Sequence, residues 1–439
     1  MSLDRRQFLI TGAALAGASA LPTMARAASS SASFPKGFLW GAASAGHQVE
    51  GNNTNADIWL LEHVKPSVFR EPSGDACNSF ELWETDLDLA KNLGLTAYRF
   101  SIEWARIEPE AGMFSQAMID HYGRIMDGAL ARGMSPVVTF NHFSSPIWFS
   151  AQGGWTNPEA PALFTRYCQK VAEQLAGKMA YALTFNEPNL LRLLRVIGLP
   201  PFVWDLQKQM LAAAAAKTNS QKFVGLNAAE QEDLDTMTAL LIKGHIAARK
   251  AIKAANPALP VGFSLAMLDD RAAGANSLRD QKREENYGDW LRAAEHADFI
   301  GVQNYERMDW DDKGKVPVPD SAIKNFSGSW IDASSLANTV AYTHQVTGKP
   351  ILVSEHGIGT DDDKLRAQFI PASLVELQKV MKQGVPVLGY IHWTLLDNYE
   401  WIHGFGVHFG LHTVDLKTFE RKPKPSAKVY AEIIKRNAV

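Results

Sequence analysis

The sequence predicts a single (β/α)8 barrel with helical and loop excursions over one face, and three observations lead there. Eight short apolar runs recur between Phe34 and the C-terminus, amphipathic segments with helical spacing separate them, and most of the runs lack a period-two alternation of polar and apolar residues. Strands buried on both faces belong to parallel sheets, whose crossovers are helices. With 439 residues, 46% hydrophobic and 21% charged, the chain is long enough for one such barrel, and its composition is that of an ordinary soluble globular protein.

The eight runs are Gly37–Ala45, Ala97–Ile102, Pro136–Phe140, Tyr181–Phe185, Val261–Leu265, Phe299–Tyr305, Ile351–Ser354 and Val387–Trp393. The first helical pattern, "NSFELWETDLDLAKNLG", places apolar residues on one stripe and ends on Gly, as a helix C-terminus does. "MIDHYGRIMDGALARG", "LFTRYCQKVAEQLAG" and "ASLVELQKVMKQG" repeat that design further along. A doubly wound sheet would also alternate strands and helices, but no G-x-G-x-x-G follows the first strand. Residues 190–259, with the alanine run 212–216, are more than one connection needs and read as helical excursions over the barrel mouth. Asp361, Asp362 and Asp363 precede an amphipathic stretch and read as acidic residues at a helix N-terminus, where the macrodipole favours them.

Residues 1–27 read as a signal peptide to be removed, leaving 28–439 as the barrel domain. Arg5-Arg6 stands ahead of an apolar run from Phe8 to Leu21, and Ala25-Arg26-Ala27 supplies a small-residue cleavage site. The run is short for a membrane span, so no stable membrane anchor is expected. Arg-Arg-Gln-Phe-Leu resembles the twin-arginine export signal of bacteria, with a general signal peptide as the alternative. Either sends the protein across the inner membrane, to the periplasm or beyond. The formal charge of −3 and the absence of a Lys/Arg stripe argue against a nucleic-acid partner. Cys77 and Cys168 are too few for a disulfide scaffold and read as independent core thiols.

A barrel places its active site at the C-terminal ends of its strands. There, "MAYALTFNEPNLL" leaves Glu187 at the end of the fourth strand, and "ILVSEHGIG" leaves Glu355 at the same place on the seventh. Taken singly, Glu187 fits a turn as well as a ligand site, because Asn186 and Pro188 both favour turns. Arg99 fits a core ion pair, and Trp393 fits core packing. Together at one barrel face, two carboxyls suit glycoside hydrolysis, which uses one as acid and one as carboxylate. His403, His408 and His412 match no metal-ligand spacing, and no metal or other cofactor is expected.

Five long motifs occur in order: "FPKGFLWGAASAGHQVEG", "YRFSIEWARIEPEAG", "TFNEPN", "SEHGIG" and "HWTLLDNYEWIHGFG". They resemble those of glycoside hydrolase family 1, the β-glucosidase family, and the resemblance covers nearly all of Phe34 to Ala438. It implies a retaining exo-β-glycosidase acting on a small β-glycoside or short oligosaccharide, with Glu187 as acid/base and Glu355 as nucleophile. By the same resemblance Asn186 would bind the sugar 2-hydroxyl, and Arg99 and Tyr305 would hold Glu355 ionised and oriented. Gln48, His142, Glu400 and Trp401 match the hydroxyl-binding set, and Trp393 matches the indole platform beneath the ring. Relatives that act on 6-phosphorylated sugars have Ser in place of Glu400, and Lys and Tyr in place of Val407 and Phe409, so an unphosphorylated sugar is expected. The sequence departs from the family at His47, Phe143 and His356, where Tyr, Trp and Asn are usual. A transglycosidase on the same site and a non-catalytic sugar-binding protein are the alternatives. Retention of both glutamates with Arg99, Asn186 and Tyr305 weighs against the second.

Overall fold

The computed structural model describes residues 33–439, so the expected signal peptide, residues 1–27, lies outside the described residues. Eight parallel strands close into a barrel: β1 Leu39–Ala43, β2 Ala97–Ser101, β3 Ser135–Asn141, β4 Tyr181–Asn186, β5 Val261–Ala266, β6 Ile300–Asn304, β7 Ile351–His356 and β8 Val387–His392. Each pairs with its neighbours in sequence, and β1 closes the ring against β8. All eight coincide with the expected runs to within a few residues, because long buried apolar runs leave little alternative to a parallel strand.

Each strand is followed, directly or after shorter or additional helices, by a helix of the outer layer: α1 Ser79–Asn92, α2 Gln116–Ala131, α3 Ala160–Leu175, α4 Leu234–Ala255, α5 Arg279–Ala293, α6 Ser335–Thr347, α7 Asp363–Lys382 and α8 Pro425–Arg436. Asp362 caps α7, its side chain accepting from the Lys364 N–H at 3.0 Å, as the acidic run leads one to expect. The side chains of the strands divide between two cores. Ala97, Val137, Leu183, Leu352 and Ile391 fill the barrel interior, whereas Tyr98, Val138, Ile300 and Val353 join the layer between strands and helices. Both cysteines are buried and unpaired.

The segment after β4 forms two helices, Leu190–Ile197 and Pro201–Lys217, before α4 begins. The first packs Leu193 against Ala266, Leu268, Met308 and Trp310. No local sequence pattern announces that patch, whose members come from three separate segments. Short extensions beyond β5 and β6, Asp269–Ala272 and Arg307–Trp310, pair with each other in parallel above the rim.

The two ends of the described chain clasp each other. The Phe34 N–H donates to the Asn437 carbonyl at 2.8 Å, the Asn437 amide donates back to the Phe34 carbonyl at 2.7 Å, and the Trp40 indole donates to Asn437 Oδ1 at 2.9 Å. A second tie between the ends is a buried ion pair. Arg421 Nε donates to Asp86 Oδ1 at 2.9 Å and Nη2 to the Cys77 carbonyl at 2.7 Å, with both charged side chains nearly inaccessible. Removing one partner of a buried pair leaves the other charge uncompensated. Arg421→Met is therefore expected to lower stability by about 3–5 kcal/mol in urea unfolding, and the double variant Arg421→Met/Asp86→Leu to regain most of it.

Candidate active site

The strands that carry Glu187 and Glu355 share an irregularity. On β4, Leu183 is level with Gly262 but Asn186 is level with Ser264, so β4 holds one extra residue. On β7, Val353 is level with Val302 and Glu355 with Gln303, again one extra residue. Such a bulge shifts the phase of all that follows it. On β4, Thr184 and Phe185 both face the helices: Thr184 Oγ1 meets His245 Nδ1 at 2.8 Å, and Phe185 stacks on Phe164. Asn186 then turns to the interior. On β7, Glu355 reaches the interior and His356 turns out, stacked on Phe369 of α7 with its Nδ1 3.0 Å from the Tyr390 hydroxyl. The departure at His356 is thus a matter of packing behind the strand.

β2 is regular, and its alternation sends Arg99 inward, fully buried. Arg99 Nη1 donates to Glu355 Oε1 at 2.5 Å, and Nη2 to Asn186 Oδ1 at 2.6 Å. The Tyr305 hydroxyl donates to Glu355 Oε2 at 2.6 Å. Gln303, which the sequence analysis misses, donates to Asn186 Oδ1 at 2.7 Å. Its two-residue spacing from Tyr305 was the available signal. With Oδ1 held twice, Asn186 Nδ2 is left buried without a partner, aimed at whatever fills the site.

Glu187 follows β4 directly and has φ +45°, the left-handed region that non-glycine residues seldom occupy. Its N–H donates to the Ser264 carbonyl and its own carbonyl accepts from the Leu190 N–H, each at 2.9 Å. The turn expected at Asn186 and Pro188 is present, and it holds the Glu187 carboxyl at a cavity. That cavity, of about 290 Å³, is lined by Asn186, Glu187, Tyr305 and Glu355, and also by His142, Trp393, Glu400 and Trp401.

The remaining expected residues gather on one side. Trp393 Nε1 donates to Glu400 Oε1 at 3.3 Å, and Gln48 Nε2 to Glu400 Oε2 at 3.4 Å. Gln48 stands behind Glu400, also donating to the Tyr399 carbonyl at 2.7 Å. The His142 ring lies nearly parallel to those of Trp393 and Trp401, with centroids 5.6 and 6.1 Å away. The departures at His47 and Phe143 also touch this side. His47 stacks on Trp401 at 5.9 Å, fixed by a 2.9 Å contact from its Nε2 to Glu62, and Phe143 meets Trp401 edge-on. The three histidines of the 403–412 segment do unrelated things: His403 lines the cavity, His408 contacts Asp361, and His412 bonds the Leu395 carbonyl.

Burial raises the pKa of both Glu187 and Glu355. The rise is larger for Glu187, where the Glu355 charge adds to it and Arg99 offsets it only in part. At Glu355, Arg99 and the Tyr305 hydroxyl oppose the burial. The two environments therefore favour Glu187 over Glu355 as the protonated partner. Burial also lifts Glu400 to about 8 and holds the His142 imidazole neutral.

The chain matches the model of glycosyl hydrolase family 1 over residues 30–261 and 286–439. It belongs to glycosyl hydrolase family 1. Among relatives, beta-glucosidase A of Acetivibrio thermocellus is 30% identical, over 92% of this chain and 98% of that one. The human cytosolic beta-glucosidase is 28% identical, over 92% of this chain and 99% of that one. Among solved structures, beta-glucosidase 1317 superimposes with a TM-score of 0.88 at 39% identity, covering 91% of this chain and 98% of that one. A beta-glycosidase from Pyrococcus horikoshii gives 0.78 at 30% identity, covering 93% and 96%. Membership of the family makes the protein an O-glycosyl hydrolase on a (β/α)8 barrel.

The charge coupling between the two carboxyls is measurable. In a Glu355→Gln variant, NMR titration of Glu187 labelled with carbon-13 in its carboxyl is expected to show a lower pKa than in wild type, while staying above the ordinary carboxylate range because burial remains. An unchanged Glu187 titration would separate the two groups electrostatically.

Proposed function

We propose that this chain is a retaining exo-β-glucosidase that releases a terminal, non-reducing, unphosphorylated glucosyl unit through a covalent glycosyl-enzyme. One observation carries the reading: two carboxyls line a single cavity, with Glu355 clamped by Arg99 and Tyr305 and Glu187 more strongly biased to hold a proton. Glu355 attacks the anomeric carbon while Glu187 gives its proton to the glycosidic oxygen, and the aglycone leaves as an alcohol. Esterification removes the Glu355 charge, so the Glu187 pKa falls and its carboxylate can take a proton from water. The water oxygen then attacks the anomeric carbon and frees Glu355.

Asn186 Nδ2 is the donor for the sugar 2-hydroxyl, a contact able to strengthen as the transition state forms. Glu400 accepts from two hydroxyls, with Gln48 and His142 beside it, and Trp393 lies beneath the ring with Trp401 closing the side. Val407 and Phe409 offer neither cation nor donor to a phosphate, which supports an unphosphorylated glycone.

The test is a panel of aryl β-glycosides with wild type, Glu187→Ala and Glu355→Gly. Wild type should cleave the β-glucoside with a bell-shaped pH profile. Activity falls at low pH as Glu355 becomes protonated and at high pH as Glu187 loses its proton. Glu187→Ala should lose roughly 100- to 10,000-fold on poor leaving groups, lose the high-pH limb, and trap β-glucosyl azide when azide is added. Glu355→Gly should yield only the inverted α-azide. Azide products of the opposite configuration would exchange the two roles.

Residues 1–27 are proposed as a twin-arginine signal that takes the protein to the periplasm or beyond. The support is the pair Arg5-Arg6 before an apolar run and a small-residue cleavage site. In a bacterial host, Arg5→Lys/Arg6→Lys should leave the full-length chain in the cytoplasm. Export of that variant through the general secretion route would instead identify an ordinary signal peptide.

A further inference from the structure

The cavity has two unlike halves. Its inner half carries the carboxyls and the polar sugar-facing groups already described. Its outer half is made by the segment after β4 and by loops after β6 and β8, and there the lining turns apolar. Leu190, Leu191 and Leu194 come from the first helix of the excursion, and Val203 and Trp204 from the second.

The first helix, "LLRLLRVI", builds this wall with residues that also pack inward: Leu191 belongs to the main core, and Leu190 and Leu194 pack against it. Leu193 already anchors it to the patch formed by Leu268, Met308 and Trp310, and Arg192 ties it to Asp235 at 2.7 Å. Leu190, Leu191 and Leu194 form a second apolar face on the same short helix, and that face lines the cavity. The apolar surface also continues outward. Phe326 and Ile402 line the cavity, yet they are 46% and 44% exposed. Large apolar side chains left wet at the mouth of a site favour a ligand that covers them.

The polar groups of this half are few. The Gln207 amide is committed to the Ala229 carbonyl at 2.6 Å, while Asn227 Oδ1 is buried without a partner. A second sugar seated here would bring several hydroxyls against leucines, and each hydroxyl without a partner would be costly. An apolar group carrying a single hydroxyl would find its polar partners in Asn227 and in the His403 imidazole, whose ring meets Phe326 edge-on.

We infer that the natural leaving group is a bulky apolar alcohol or phenol, and that cello-oligosaccharides are poor substrates. This rests on the glucosidase reading above. The test uses full-length mature enzyme and a series of n-alkyl 1-thio-β-D-glucosides, from methyl to octyl, as competitive inhibitors of aryl β-glucoside cleavage. Each methylene buried on the wall should tighten Ki by about threefold, until the chain passes Phe326 and Ile402. Cellobiose should have a kcat/KM at least about 100-fold below that of octyl β-glucoside, the magnitude of several unpaired hydroxyls.

Leu194→Asn and Val203→Asn should each reduce the ratio of methyl to octyl Ki by about tenfold, and Leu194→Met should restore it. A Ki independent of chain length, or cellobiose cleaved as well as octyl β-glucoside, overturns the inference while leaving the glucosidase intact. Failure to cleave any aryl β-glycoside overturns the glucosidase reading instead. In that case calorimetric binding of the same thioglucosides still decides whether the wall takes an apolar group.

Discussion

Arg99 is the charge around which the barrel mouth is organised. A guanidinium with no access to solvent needs partners for its donors, and here Nη1 and Nη2 find the Glu355 carboxylate, the Ser354 carbonyl and the Asn186 amide oxygen, while Nε is left without one. Each contact also does something to its partner. Arg99 opposes the rise that burial imposes on the Glu355 pKa and fixes its carboxyl rotationally, and Asn186 is oriented by its Oδ1, leaving its amino group without a protein partner. Because β2, β4 and β7 meet at one guanidinium, the two carboxyl-bearing strands are positioned relative to each other by a single side chain. Bidentate geometry is the reason an arginine serves there where a lysine, a mobile point charge, would not.

Unequal environments then separate two chemically identical groups. Both glutamates are buried beside the same cation, yet only Glu355 receives two strong donors. Glu187 gets the repulsion of its neighbour and a backbone held at positive φ. Division of labour between like residues needs only such asymmetry. In the proposed mechanism it also reverses, because the Glu355 charge that adds to the effect of burial on Glu187 is absent while Glu355 is esterified.

Much of this was legible in the sequence. The eight strands were, because each is a buried apolar run, and the ends of those runs pointed to Glu187, Glu355, Arg99, Tyr305 and Trp393. Strand ends were readable, but phase was not. Straight alternation from Leu183 would send Phe185 inward and Asn186 out, and only the extra residue on β4 reverses them. The same holds for Ser354 and Glu355 on β7. Bulges arise from pairing between strands distant in sequence, so no local pattern announces them. The departures at His47, Phe143 and His356 looked alike in sequence. Structurally they part company, since His47 and Phe143 support Trp401 from two sides and His356 faces a helix. The excursion 190–259 read as helical, but that its first helix is apolar on two faces, for two purposes, emerges only once its neighbours are known.

The clasp between Phe34, Trp40 and Asn437 has a practical corollary. Both ends of the folded domain leave it at the N-terminal side of β1, on the face opposite the carboxyls. A tether, a fused domain or a solid support joined at the C-terminus would therefore hold the molecule by its base, with the mouth turned toward the solution. Any attachment that relied on residues near Asn437 would have to spare that one amide, since it makes two of the three bonds of the clasp.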